Sequence, residues 1–287
     1  MQEKQIQWFP GHMAKTKRLI RESLPLVDMV IEILDARIPY SSQNPDIGKL
    51  TRNKPRLILL NKSSLADPNV NALWRDSLIS SETRCIFTDC STGSGLSDIL
   101  PSVRELLSEK LIRNNERGMT GRTLKALVVG IPNSGKSTFI NRMAGTSKAK
   151  TENRPGVTRD MQWVQTGRGL DLLDTPGVLW PKFEDKTVGE NLAITGAIKD
   201  NILDTEYLAV LLCSRLRAIA PALLSARYKL APGELSEERT DYEILETIGR
   251  KRGFLISGGE INTERTALML LDEFRIGKIG RISLEKP

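Results

Sequence analysis

The sequence predicts an α/β fold in which a parallel sheet carries ligand loops at the carboxyl ends of its strands. A smaller, mostly helical part follows it. Three observations predict this. Short apolar runs alternate with polar helical stretches over the first part of the chain. One run ends in a glycine turn of phosphate-binding pattern. Beyond about residue 187 the texture changes to Leu- and Ala-rich segments at helical spacing.

Residues 28–34 and 56–60 are apolar runs that close in polar loops, the mark of buried strands, and 85–88 reads as a third. Residues 69–78 and 96–111 read as the intervening helices. A strand at 124–129 runs into Gly130, and another at 170–173 ends at Asp174. Residues 203–224, 242–249 and 262–274 read as helices, punctuated by Pro221, Pro232 and Gly258-Gly259. The expected division is residues 1–183 for the sheet domain with a basic N-terminal arm, and 184–287 for the helical domain.

Composition excludes several classes. The 287 residues are too many for a disulfide-stapled miniprotein, and no apolar run is long enough to span a bilayer. Met1-Gln-Glu-Lys-Gln-Ile-Gln-Trp8 lacks the apolar core of a signal peptide, so a cytoplasmic location without membrane attachment is expected. Three cysteines without CxxC spacing argue against a disulfide framework or structural zinc, and a single histidine excludes multi-histidine metal sites. Lys and Arg number 42 against 35 acidic residues, a net +7 that modestly favours a polyanionic partner. Aromatics at 5% are too few for a base-stacking platform.

Gly130-Ile-Pro-Asn133-Ser134-Gly135-Lys136-Ser137 matches GxxxxGK[ST] at every fixed position. Its glycines let the backbone wrap a phosphate with successive amides pointing inward, and the following helix adds its positive end. In that pattern Lys136 reaches the β- and γ-phosphates and Ser137 ligates Mg²⁺, while residues 138–143 can continue as a helix whose first residue, Thr138, is a further nucleotide-binding candidate. Asp174-Thr-Pro-Gly177 supplies a strand-end carboxylate for the Mg²⁺ shell, through water, and an amide at Gly177 for a γ-phosphate. Between the two, Arg154-Pro-Gly-Val-Thr158-Arg159 offers Thr158 as a second hydroxyl on Mg²⁺.

Asn61-Lys62-Ser63-Ser64 resembles the NKxD guanine loop of GTPases, in which Asn contacts the purine and braces the phosphate loop, Lys lies on the ring and Asp accepts two guanine N–H groups. Ser64 stands where the Asp is expected, so guanine selection should be weaker unless Asp67 or a backbone group takes its part. Asp89-Cys90-Ser91-Thr92-Gly93 reads as a second base-side loop that offers backbone amides to the purine O6. The base loop precedes the phosphate loop, the reverse of the usual GTPase order. A circularly permuted sheet can still assemble one site. Permutation also runs the segment after Gly177 directly into the helical part, so ordering it by a γ-phosphate would pull on that part.

Gln7-Trp8-Phe9-Pro-Gly-His12-Met-Ala-Lys15, Asp35-Ala-Arg-Ile-Pro-Tyr-Ser-Ser-Gln-Asn-Pro45 and the permuted loop order together resemble the circularly permuted GTPases of the ribosome biogenesis GTPase A family. The resemblance covers essentially the whole chain. It implies a circularly permuted Ras-like P-loop GTPase domain followed by a helical domain that helps bind 23S ribosomal RNA. It also implies GTP hydrolysis coupled to a late step of 50S assembly, with GTP and GDP, the large subunit and Mg²⁺ as partners. A GTP-dependent RNA-binding switch with little intrinsic turnover, acting in another RNA maturation step, is the alternative.

Val178 occupies the position where many GTPases carry a water-orienting glutamine, so slow basal turnover is expected. His12, in the motif the resemblance marks, is the candidate catalytic residue; packing or RNA contact is the other reading of it. Asn133 is either a K⁺ ligand, as in related potassium-activated GTPases, or a simple turn residue. Lys15, Lys17, Arg18 and Arg21 share a predicted helix starting near Met13, and Arg250-Lys-Arg252, Lys278 and Arg281 add charge near the other end. The resemblance favours RNA phosphate contact there over a solvated face.

Overall fold

A computed structural model describes residues 13–119, 121–145, 161–180, 183–198 and 204–287. Its centre is a six-stranded sheet built from β1 (Met29–Asp35), β2 (Arg56–Asn61), β3 (Thr83–Phe87), β4 (Leu124–Gly130), β5 (Gln162–Gln165) and β6 (Leu170–Asp174), in the order β3-β2-β1-β4-β6-β5. All neighbours pair parallel except β5, which runs antiparallel to β6 at the edge. β1 is buried along its whole length, as its unbroken apolar run requires of a central strand. No apolar pattern marks β5. Only Val164 of its four residues is buried, and three exposed neighbours hide the strand from any apolar pattern.

The helices are α1 (Met13–Ser23), α2 (Pro39–Ser42), α3 (Pro45–Thr51), α4 (Pro68–Leu78), α5 (Ile99–Leu106), α6 (Ser108–Glu116), α7 (Lys136–Ala144), α8 (Lys186–Ile194), α9 (Thr205–Ile219), α10 (Pro221–Tyr228), α11 (Asp241–Lys251) and α12 (Thr263–Arg275). The stretch read as one helix over 96–111 is a short 3-10 turn and two helices that meet at Leu107. The stretch read over 203–224 breaks at Pro221, which starts α10 after a bend of 118°. Side-chain caps fix several starts. Asn44 accepts from the Asp46 and Ile47 amides before α3, and Thr240 and Glu243 form a reciprocal capping box on α11.

Alternation along the strands sends Ile31, Leu57, Leu59, Ala126 and Val128 to one face, packed with Ile99 and Val103 of α5 and Phe139 and Ile140 of α7. On the other face Val30, Leu127 and Val129 meet Ile20 of α1, while Ile58 and Leu60 meet Val70 and Trp74 of α4. A third apolar body joins α8 to α12 and takes in Ile38, Ile131, Leu179 and Phe183. Chain from around the sheet's ligand loops is thus part of the helical core. Among the described residues no single helix is long and apolar enough to cross a membrane.

The register brings the motifs to one end of the sheet. Asp35 lies opposite Asn61, Ile33 opposite Gly130, and Val128 opposite Asp174. The strand order reverses between β1 and β4, so their carboxyl ends splay apart into the crevice where open α/β sheets bind ligands.

Candidate functional site

The phosphate loop leaves β4 at Gly130 and enters α7 at Lys136. Gly135 has a φ of +101°, and a Cβ there would run into the Asn61 side-chain amide, so two independent constraints demand glycine. Lys136 is buried and donates to the Gly130 and Ile131 carbonyls at 3.0 and 2.9 Å, curled back on its own loop. Burial lowers its ammonium to a pKa of about 8, with the Asp174 charge opposing the shift. Ser137 and Thr138 open α7.

Asp174 closes β6 and is buried. Neither of its carboxylate oxygens has a well-formed hydrogen-bond partner among the described residues, and the buried Ser134 hydroxyl lacks one too. Burial raises the Asp174 carboxyl to about 6, against the pull of Lys136 and the Thr175 amide. A buried carboxylate with neither oxygen well hydrogen-bonded is an expensive arrangement unless a cation or its bound water completes it. The oxygen donor left unpartnered at this spot, a carboxylate at the end of β6, suits a hard oxygen-seeking ion such as Mg²⁺. Gly177 lies against the phosphate loop, where a Cβ would come within 2.8 Å of the Lys136 Nζ and 3.0 Å of Pro132. Val178 is buried with its carbonyl accepting from Asn44 Nδ2 at 3.0 Å, so the position offers no side-chain contact to water.

The base side is tied to the phosphate side through Asn61. Its Nδ2 donates to the Ser134 carbonyl at 2.7 Å, and its Oδ1 accepts from the Cys90 amide at 2.9 Å and the Thr88 hydroxyl at 3.4 Å. One side chain thus braces three loops that are distant in sequence. Lys62 adopts a left-handed φ of +58° and places its Nζ 2.8 Å from Asp35. Burial would raise the Asp35 carboxyl, but Arg37 and Lys62 hold it far below the carboxylate range. Burial also lowers the Lys62 ammonium, with Asp35 opposing. Arg37 is buried, binds Asp35 through Nε at 2.9 Å and Nη2 at 2.7 Å, and reaches the Arg275 carbonyl of α12 at 3.2 Å. Its guanidinium lies 5.3 Å above the Phe274 ring.

Ser64 is exposed and its hydroxyl donates to Asp89, whose carboxylate also accepts from Ser91 and from the Thr92 amide. Asp67, named as a stand-in for the missing acceptor, has one carboxylate oxygen, Oδ1, engaged elsewhere. Its carboxylate caps α4 through the Asn69 and Val70 amides at 2.8 and 3.3 Å. Asn133, at φ +57°, donates from Nδ2 to the Gly196 carbonyl at 2.7 Å, just past α8. His12 and Thr158 lie outside the described residues, as do Trp8 and Phe9.

The structure therefore brings Asn61, Lys62, Ser64, Cys90, Ser91, Thr92, Asn133, Ser134, Gly135, Lys136, Ser137, Thr138, Asp174 and Gly177 to the carboxyl end of one sheet. Sequence reasoning overlooked Asp35 and Arg37, which lock the base loop to α12, and the Asp89 carboxylate beneath Ser64. An acid at a strand end followed two residues later by arginine was a visible signal for the first pair.

The comparisons agree with this geometry. Residues 125–224 match a family model described as a 50S ribosome-binding GTPase. A protein of Bacillus licheniformis named ribosome biogenesis GTPase A is 48% identical over 98% of this chain and 98% of its own length. The Thermotoga maritima protein of the same name is 29% identical over 98% and 95%. The solved structure of GNP-bound YlqF from T. maritima has a TM-score of 0.63 at 27% identity, covering 95% of this chain and 98% of that one.

Proposed function

The chain belongs to the ribosome biogenesis GTPase A family, and from that premise we propose that it binds the immature large ribosomal subunit and couples GTP hydrolysis to a late step of 50S assembly. That it is a GTP hydrolase of ribosome assembly follows from the family; the subunit, its 23S RNA and the assembly step are our reading. One observation carries it. The segment after Gly177, where a γ-phosphate is sensed, runs within two residues into Leu179, which is buried in the apolar body of α8 to α12. Ordering this segment around GTP would bias the helical part, and GDP would release it.

In this reading Lys136 leaves its carbonyls for the β- and γ-phosphates, and Gly177 closes over them. Ser137, Thr158 and Asp174 would hold Mg²⁺, with Asp174 acting through water. When bound, the ion would supply charge neutralisation to the transferring phosphoryl group. Val178 contributes nothing to water, so we assign water orientation to His12, acting once RNA engages the N-terminal arm. Asn133 is the candidate K⁺ ligand, through the amide oxygen left over once Nδ2 binds Gly196.

Part of the basic surface is committed internally. Lys17 pairs with Asp46, Arg18 with Glu22, Lys251 with Glu234, and Arg252 with Glu273. Arg281 donates to the Ala66 and Ser63 carbonyls. RNA contact is therefore assigned to a subset of the charges, with salt-dependent affinity and little base specificity. A cytoplasmic location accompanies this work. The test is co-sedimentation of the full chain with large-subunit precursors and with small subunits, in a GTP analogue and in GDP. Binding confined to the large subunit and favoured by the analogue supports the reading; equal binding to both subunits refutes it. His12→Ala should spare GTP binding and remove subunit-stimulated turnover.

A further inference from the structure

Ser64 stands where the guanine loop would carry a carboxylate, yet a carboxylate lies within hydrogen-bonding reach of it. The Ser64 hydroxyl donates to Oδ2 of Asp89. The other oxygen, Oδ1, accepts from the Ser91 and Thr92 amides at 3.0 and 3.3 Å and from the Ser91 hydroxyl. Asp89 itself is only 4% exposed, whereas Ser64 faces solvent. The other carboxylates of this corner have partners of their own: Oδ1 of Asp67 caps α4, and Asp35 binds Arg37 and Lys62. Burial opposes ionisation of Asp89, but the donors from Ser64, Ser91 and Thr92 hold it below the ordinary carboxylate range. It is therefore an anion that accepts a proton-sharing bond and does not return one.

This fixes the polarity of Ser64. A serine hydroxyl has one hydrogen and two lone pairs, and normally rotates to suit its neighbour. Here the hydrogen is taken inward by a charged acceptor, and such bonds are shorter and stronger than neutral ones. What remains for an outside ligand is lone pairs, made more electron-rich by the inward bond. We propose that Ser64 and Asp89 form a relay replacing the missing carboxylate: Asp89 holds the Ser64 hydrogen, and the Ser64 oxygen accepts from the N1–H and N2 amine of guanine. Adenine carries a lone pair at N1 and no amine at C2, so the same oxygen repels it. Ser64 touches the base; Asp89 is a positioning residue. The inference rests on the guanine-nucleotide chemistry of the site and is independent of which ribosomal particle the protein binds.

Competition of GDP, IDP and ADP against a fluorescent guanine nucleotide on the full chain tests it. Ser64→Ala, at an exposed position, should weaken GDP about tenfold while ADP is unchanged. Asp89→Asn keeps an oxygen for the Ser91 and Thr92 amides but turns an NH₂ group toward Ser64, so the hydroxyl hydrogen swings outward. Its preference for GDP over ADP should fall about tenfold or more. IDP, without the N2 amine, should bind the wild-type chain less tightly than GDP and should lose less than GDP does in Ser64→Ala. The double variant Ser64→Asp with Asp89→Asn places the carboxylate at the base and should recover the preference. An Asp89→Asn chain with the wild-type GDP-to-ADP ratio, or a double variant that recovers nothing, overturns the relay. A wild-type chain that binds neither nucleotide would instead overturn the guanine-nucleotide reading beneath it.

Discussion

Asp35 and Asp174 sit at equivalent places, each at the carboxyl end of a buried parallel strand beside the crevice. Their surroundings are opposite. Asp35 receives Arg37 through two nitrogens and Lys62 through a third, and its acidity is strengthened. Asp174 has no well-formed partner among the described residues, and its carboxyl is pushed up to about 6. The base side of the site is thus complete within the chain, a fixed frame locked to α12. The phosphate side holds unspent donors and acceptors: the Asp174 carboxylate, the Ser134 hydroxyl and a lysine folded back on its own carbonyls. Preorganisation is concentrated where the ligand does not change during turnover. Incompleteness is concentrated where a phosphate and a cation come and go.

Breaking the frame should cost the most. Arg37→Ala removes the main partner of a buried anion, and the expected loss is about 4 kcal/mol of unfolding free energy. Urea unfolding measures it, and an unchanged midpoint would mean that Lys62 alone suffices. Lys136→Ala should behave oppositely. Folding should be nearly unaffected, because its partners are two carbonyls it is due to leave, while GTP affinity falls by roughly 100-fold, equivalent to losing about 3 kcal/mol of charge-assisted bonding. Nucleotide titration checks this, and retained affinity would remove Lys136 from the phosphate site.

The two aspartates also differ in how they respond to pH. Asp35, with its folded pKa depressed, contributes stability that is present above the unfolded carboxylate range and is lost only as pH falls through its folded value. Asp174, with its folded pKa raised to about 6, contributes stability that is full below the unfolded value and is lost as pH rises through 6. In chelator and without nucleotide, Asp174→Asn should therefore be more stable than wild type at pH 7. The gap should narrow by about 1 kcal/mol on acidification to pH 5. Thermal unfolding across that range checks the sign, and a gap that widens on acidification refutes it. Added Mg²⁺ with nucleotide should reverse the ranking, because only the carboxylate can serve the cation.

Much of this contrast was legible before the fold. GxxxxGK[ST] fixes backbone geometry by residue type, so residues 130–137 announce a phosphate loop without tertiary information. The parallel strands announce themselves by burial on both faces, whereas β5 shows one buried valine among polar residues and is invisible. Pairings across chain distance were the hidden part. That Arg37 reaches α12, or that Asp89 lies under Ser64, depends on strand order, which no local pattern encodes. Asp67 shows the competing demand: sequence proximity suggested a base contact, and helix capping draws on one of its oxygens.

Asn133 sits at the seam between the two regions and gives the smallest expected effect. Its Nδ2 bond to Gly196 links the phosphate loop to the chain just past α8, while its left-handed φ suits asparagine or glycine. Asn133→Gly keeps the backbone free to adopt that φ and removes only the side chain. The lost hydrogen bond should cost about 1 kcal/mol of stability in the nucleotide-free chain. If the side chain also holds K⁺ during turnover, hydrolysis by wild type should rise when K⁺ replaces Na⁺ and the glycine variant should not respond. If Asn133 only fastens the loop to Gly196, both chains keep the same ratio of rates in the two salts and differ in unfolding midpoint alone. The ratio and the midpoint report separate atoms of one side chain, the amide oxygen and the amide nitrogen, so each result stands without the other.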